Sequence, residues 1–408
     1  MLPARGQPPL GRESSSVYRS FWQAGFDGAD HVSGADQPLS PNDGSGHSRH
    51  AGDDYRRLGR FGIRTVRESA GWRCVEKRGR FDFSCVGHRA REAQQRNIQV
   101  LWTFMHFGVP KGLDLASPCF ASRFADYCGA LARFLKPFHG SGRRPVYTPI
   151  NQISLLADAV GESASELGET VRSGSGLGRY ELKKRLVQAA LRGCDAIWAV
   201  EPAARILTVE PLVHTAAPHD RPDLHGLAQR QNLARCEVWD MLSGRLEPQL
   251  GGAPRYLDLM GVAHYPRYQR EAGSNAALPW QPTDPRRRRL STLLGDVHHR
   301  YGKSLTLAET GATGEDRAGW ISDVGVELEM AEQAGIPVDG VCLYPVIDRP
   351  ARCDASHWHR SGLWQVRESD PRLPRQLDRD YAASLKRAQA RLEQIATPST
   401  GGRRTRTN

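Results

Sequence analysis

Eight times along the chain a short apolar run is followed by a segment of helical spacing. This rhythm limits the fold more than any other feature of the sequence. The runs fall at 21–26 (FWQAGF), 63–67 (IRTVR), 98–104 (IQVLWTF), 146–150 (VYTPI), 205–209 (RILTV), 257–263 (LDLMGVA), 304–308 (SLTLA) and 339–344 (DGVCLY). Each is rich in branched or aromatic residues and lacks strict alternation, as expected of strands covered on both faces. The helical segments between them start well ("DDYRRLGRFG" opens on Asp53 and stops at Gly62) and continue to "DYAASLKRAQARLEQIA" at 380–396. Eight strand–helix units are the count of a closed (β/α)8 barrel. The alternative, a doubly wound sheet, usually carries a glycine-rich phosphate turn after its first strand. "FWQAGFDGADH" has no such turn.

Composition bounds the remaining possibilities. Of 408 residues, 39% are hydrophobic and 25% charged, which permits a large core and argues against global disorder. The Pro-, Gly- and Ser-rich residues 1–16 and the basic segment 397–408 read as mobile tails around one barrel domain, 17–396. The formal net charge is +11, yet the arginines cluster in a loop-like run (Arg287, Arg288, Arg289) and in the tail (Arg403, Arg404, Arg406). No basic stripe interleaved with aromatics is present, so nucleic acid is not an expected partner and the arginines read as solvated. No apolar core of signal-peptide length opens the chain and no run of 18 apolar residues occurs, so the expectation is a soluble, cytoplasmic protein without a membrane partner. Eight cysteines without a Cys-x-x-Cys pair read as buried free thiols. The sequence carries no signal for oligomeric state.

In a (β/α)8 barrel the chemistry sits at the carboxyl ends of the strands. Those ends carry Gln23, Asp27 and His31; Arg67, Glu68 and Trp72; His106; Asn151 and Gln152; Glu210 and His214; His264 and Tyr265; Glu309; and Tyr344 and Asp348, with Trp364 further on. Amides, carboxylates, imidazoles and aromatics together suit a sugar. Planar polar groups pair with hydroxyls, and an aromatic face takes the C–H side of the ring. No metal-ligand spacing is convincing: His298 and His299 are adjacent on a helical segment, and His357-x-His359 has only Asp354 nearby. No P-loop, no His-Glu-x-x-His and no Gly-x-Ser-x-Gly elbow occurs, and no cofactor is implied.

These residues resemble the glycoside hydrolases of the large (β/α)8 superfamily that place catalytic carboxylates after strands 4 and 7. "TPINQIS" is similar to the Asn-Glu signature at strand 4, and "LTLAETG" to the nucleophile strand. "RTVRESAGWRCVE", "LWTFMHFGVPKGLD" and "GVAHYPR" resemble the strand 2, 3 and 6 segments of β-glucosidase-type members. The likeness spans residue 18 to about 390 and is greatest to bacterial β-glucosidase-like proteins. It implies Glu309 as nucleophile, held ionised by Arg67 and Tyr265, with Asn151 on the sugar 2-hydroxyl and His106 on another hydroxyl. It further implies, more loosely, Gln23 and Asp27 on the far side of the sugar and Trp364 as a stacking platform or a core residue.

The departure is Gln152, which stands where the family has its acid/base Glu. An amide cannot protonate a departing oxygen and cannot activate water, a loss of about 10²- to 10⁴-fold. Plant myrosinases, related by fold, also carry Gln there and process a substrate whose leaving group is stable as an anion. Three readings stay open: a hydrolase or transglycosylase acting on activated glycosides, a sugar-binding pseudoenzyme, or a barrel in which another carboxylate (Glu68, Glu162 or Glu166) replaces the acid. A separation of about 5 Å between residues 152 and 309 would match the retaining geometry.

Overall fold

The computed structural model describes residues 17–26, 28, 31–32, 38–140, 144–161, 177–351 and 357–396. All eight apolar runs are strands: β1 (Trp22–Gly25), β2 (Thr65–Ser69), β3 (Gln99–Met105), β4 (Val146–Ile150), β5 (Arg205–Pro211), β6 (Leu259–Ala263), β7 (Leu305–Thr310) and β8 (Val338–Leu343). They pair in parallel in chain order and β8 returns to β1, which closes the barrel and excludes the doubly wound sheet. Helices α1 (His47–Leu58), α2 (Ser84–Gln95), α3 (Phe120–Leu135), α4 (Ile153–Gly161), α5 (Arg179–Val200), α6 (His225–Ala234), α7 (Glu237–Leu242), α8 (Leu290–Tyr301), α9 (Asp316–Gln333) and α10 (Arg379–Ala396) fill the connections. The fourth and fifth connections hold two helices each, where the sequence pattern indicated one. Both expected mobile tails lie outside the described residues.

Strand alternation divides the side chains into two layers. Leu101, Val146, Leu207, Val209, Leu259, Ala263 and Ala308 meet inside the barrel with Tyr18, whose hydroxyl reaches Thr306 Oγ1 at 2.9 Å. Their neighbours Trp102, Tyr147, Ile206, Met260, Leu305 and Leu307 belong to the clusters shared with the helices.

One strand breaks this alternation. On the β6 side of β7, Val262 pairs with Leu307 but Ala263 pairs with Glu309; on the β8 side, Val341 pairs with Leu307 but Leu343 with Thr310. An extra residue is therefore accommodated in a β-bulge at Ala308–Glu309. Without it, Glu309 would follow Leu305 and Leu307 outward. With it, Glu309 turns inward and Thr310 turns out, where it accepts a hydrogen bond from Trp320 Nε1 at 2.9 Å.

Among the described residues no helix is long and apolar enough to cross a membrane. Seven cysteines are described and all are free; Cys85 and Cys119 are exposed, which corrects the expectation of uniformly buried thiols, and Cys353 lies outside the described residues. The arginine run, which Arg286 extends, is largely ion-paired, although Arg289 remains exposed as expected. Arg286 pairs with Asp284 and Glu271, Arg288 with Asp296 and Arg289 with Glu327, so local carboxylates neutralise most of its charge.

Candidate active site

The bulge delivers the Glu309 carboxylate to the mouth of the barrel, and four side chains from three other strands donate to it. Arg67, inward-facing on β2, reaches Oε1 at 2.9 Å. Asn151, just past β4, donates Nδ2 to the same oxygen at 2.9 Å. Tyr265, just past β6, donates its hydroxyl to Oε2 at 2.9 Å. Gln152 Nε2 completes the set at 2.8 Å from Oε2. Arg67, Asn151, Gln152 and Glu309 are each at most 2% exposed. A buried carboxylate is costly unless a cation and donors compensate it; here one cation and three neutral donors do so. Burial first, and then the Glu309 charge, push the Tyr265 hydroxyl well above its ordinary range, so it stays a donor.

The second tier fixes the orientation of the first. Arg67 Nη2 donates to Asn151 Oδ1 and to Thr103 Oγ1, each at 3.1 Å. With its oxygen taken, Asn151 turns its amide nitrogen to Glu309 and to His106 Nε2 at 3.2 Å. Tyr268 donates to Gln152 Oε1 at 3.0 Å, which aims the amide nitrogen of Gln152 at Glu309. The backbone is strained at the same place: Phe107, next to His106, has φ 76°, and Gln152 has φ 48°. Side chains other than Gly seldom adopt such angles, and they concentrate at functional sites. Gln152 is held there by its N–H on the Val209 carbonyl (2.9 Å) and by its own carbonyl accepting from Leu156 N (3.0 Å) at the start of α4.

Five residues singled out in the sequence, apart from Glu309 itself, thus converge on it or on its partners: Arg67, His106, Asn151, Gln152 and Tyr265. Two do not. Gln23 faces the barrel interior but pairs with Thr65, two residues below the Gly25–Arg67 level, and its amide packs against Gly340. Trp364 is 2% exposed, edge-on to Phe61 at 5.8 Å, in a short hairpin against Arg375–Leu377; it is a core residue, because the strand segment that carries it is pinned to Val346 under the α10 layer. Asp27 lies outside the described residues, as do Glu162 and Glu166. Trp72 is also core, stacked on Tyr127 at 5.2 Å.

The remaining replacement acid, Glu68, is on the outward face of β2. It accepts from His47 Nε2 (2.8 Å), Tyr55 (2.6 Å) and Arg89 (2.6 Å), and Asp54 holds the other nitrogen of His47 at 3.0 Å. Burial works against charge on Glu68, but His47 and Arg89 outweigh it and hold its pKa below the ordinary carboxylate value. An ionised carboxylate enclosed in the helix layer is no proton donor for the barrel mouth. Glu210, outward on β5, is likewise absent from the cluster: Oε2 accepts from Ser154 N at 3.1 Å, capping α4, while burial raises its pKa to about 7.

Sequence reasoning missed Tyr268 and Thr103. Tyr268 repeats the aromatic of Tyr265 three residues on, a spacing that one helical turn at Pro266–Tyr268 brings to the same side; Thr103 offered no signal, since a threonine inside a strand is ordinary. No group of His, Cys, Asp and Glu among the described residues is arranged to hold a metal ion.

With this geometry in view, comparison with solved structures is informative about the fold. The chain superposes on a β-glucosidase designated 1317 with TM-score 0.65, at 17% identity, over 85% of this chain and 89% of that one. It superposes on the β-glucosidase from Thermotoga maritima in complex with deoxynojirimycin with TM-score 0.66, at 15% identity, over 93% and 99%. The AHE enzyme from Alicyclobacillus herbarius gives 0.66, at 14% identity, over 85% and 88%. The architecture is the (β/α)8 barrel that these structures share. By sequence, no protein-family model matches the chain. No curated protein matches it either.

Proposed function

We propose that this chain is a glycosidase-like barrel that binds a β-linked sugar at the Glu309 mouth and has lost general acid catalysis, so that it turns over ordinary glycosides poorly or not at all. The observation that carries the reading is the 2.8 Å hydrogen bond from Gln152 Nε2 to Glu309 Oε2. The two side chains expected about 5 Å apart in a retaining site are in direct contact. No anomeric carbon fits between them while that bond is made, and both oxygens of the carboxylate are already occupied by donors.

A sugar that displaces Gln152 would meet a nucleophile of ordinary design. A Glu309 oxygen would attack the anomeric carbon as the bond to the leaving group breaks, and the bonding pair would depart with that group. Arg67 and Tyr265 would keep the carboxylate ionised before attack, and Asn151 would turn to the 2-hydroxyl. Gln152 has no proton to give, so only a leaving group stable as an anion departs readily. In the second step water must attack the same carbon, breaking its bond to Glu309, and among the described residues no base replaces the missing carboxylate. A glycosyl-enzyme would therefore persist.

Two measurements test this. Deoxynojirimycin, the iminosugar held by the Thermotoga maritima enzyme, is titrated calorimetrically; binding that is lost in Glu309→Ala supports a sugar site, and no binding to the wild type sinks it. Dinitrophenyl β-glucoside is then followed for a burst. A stoichiometric burst with slow turnover, absent in Glu309→Ala, supports the nucleophile. The second reading, a binding-only pseudoenzyme, is favoured by the closed contact between residues 152 and 309, and it predicts iminosugar binding without any burst.

A further inference from the structure

On the outer side of β6 and β7, across the strands from Glu309, lies a cleft of about 420 Å³ between the 280–289 segment and α9. Its size is that of a small-molecule site. It shares no lining residue with the cluster around Glu309. His264 lines it and is 1% exposed. Burial pushes the His264 imidazole down to about 4, so the ring is neutral. Nδ1 sits 2.8 Å from the Leu212 carbonyl and must donate to it. Nε2 is then an acceptor, and it has no partner among the described residues. Arg287 stands nearby as the exception in its arginine run. Its Nη1 donates to the carbonyls of Pro266 and Leu278, each at 2.8 Å, and no carboxylate lies within ion-pair distance. Its remaining nitrogens have no acceptor among the described residues, although the side chain is half-buried. Trp280 and Trp320 meet edge-on at 5.3 Å along the wall. The two acids of the cleft are already engaged: Asp323 takes Trp280 Nε1 at 3.0 Å, and Glu327 takes Arg289 and Ser291.

We propose that this cleft is a second binding site, for a hydroxylated ring that carries an anionic group. The anion is recognised by the unpaired guanidinium of Arg287, which suits a carboxylate or a phosphate equally. A ring hydroxyl donates to His264 Nε2, an acceptor that a neutral, buried imidazole supplies and an imidazolium would not. The ring face lies on Trp280, whose edge is anchored by Asp323 and whose back is supported by Trp320. A purely apolar ligand would leave both polar groups unpaired, at a cost comparable to a lost hydrogen bond each. A bare anion would leave the tryptophan wall and His264 unused.

The test uses tryptophan fluorescence and calorimetry on the full chain with four probes: D-glucuronate, D-glucose 6-phosphate, D-glucose and inorganic phosphate. The expected result is that at least one anionic sugar binds about tenfold or more tightly than both glucose and phosphate, the loss matching one charge-assisted hydrogen bond. Whichever of glucuronate and glucose 6-phosphate binds more tightly identifies the anion. Arg287→Met should remove that advantage, and Trp280→Leu should weaken all three sugars and abolish the fluorescence change. Circular dichroism of both variants accompanies the titrations. The proposal is overturned if neither anionic sugar binds at millimolar concentration, if phosphate alone binds as tightly as the phosphosugar, or if the two variants bind as the wild type does. The Glu309→Ala protein, used for the barrel mouth, should retain this binding, which keeps failure of one site distinct from failure of the other.

Discussion

The substitution Gln152→Glu puts a second carboxylate against Glu309 in a site that is 2% exposed. At present the amide nitrogen of residue 152 donates to Glu309 Oε2 over 2.8 Å, and its oxygen accepts from Tyr268. Tyr268 still donates to the new carboxylate, so the facing atom becomes an oxygen aimed at an oxygen. Two unit charges about 4 Å apart repel by about 4 kcal/mol at an effective dielectric constant near 20. That equals about three pH units on one ionisation. The pair should therefore share one proton, as paired carboxylates do, with Arg67 and Tyr265 keeping Glu309 charged and residue 152 protonated. The variant's native state then binds one proton more than its unfolded chain between the ordinary carboxylate pKa and the raised one. Its stability relative to wild type should be highest below about pH 4.5 and fall as pH rises through about 7. Urea unfolding of both proteins between pH 4 and 8 measures this, and the difference should change by about 3–4 kcal/mol across the range. A difference that stays flat with pH would refute the direct contact. The raised acid is also what glycoside cleavage requires, so activity on p-nitrophenyl β-glucoside should appear in the variant with an optimum on the acid side of the raised pKa. Its absence, with the pH-dependent stability present, would mean that the closed gap and not the amide alone blocks turnover.

Other perturbations have equally definite outcomes. Arg67→Met leaves Glu309 buried without its cation, and chemical denaturation should register a loss of about 3–5 kcal/mol; the double variant with Glu309→Gln should recover much of it. Glu210→Gln removes a carboxyl whose pKa is raised to about 7 by burial. A raised carboxylate pKa means that wild type loses stability as pH climbs from about 4.5 to 7, so this variant should gain on wild type by about 3 kcal/mol between pH 5 and 8, read from its melting temperature. Trp364→Ala should destabilise the fold by about 3–5 kcal/mol, as removal of a core aromatic does, while leaving iminosugar affinity unchanged; selective loss of affinity would restore Trp364 to the sugar site.

The sequence by itself determined the barrel. Eight apolar runs in alternation with helices admit few closed topologies, and the strand pairing follows chain order because each crossover must return beside its predecessor. It also determined most of the cluster, since Arg67, His106, Asn151, Gln152, Tyr265 and Glu309 all stand at strand ends, where barrel geometry gathers side chains. What it could not set was direction. Glu309 shares the parity of Leu305 and Leu307, and Glu68 has the same local look of a carboxylate after an apolar run, yet one faces the barrel and the other the helices. A bulge on β7, enforced by pairing with β6 and β8 together, makes that difference. Pairwise register is a property of three strands at once and leaves no local mark. The same holds for Gln23, one layer too deep, and for Trp364, absorbed into the core. Tertiary structure alone also decided that Gln152 touches Glu309, because the reach of two side chains across a barrel depends on strand stagger and on the left-handed backbone at residue 152.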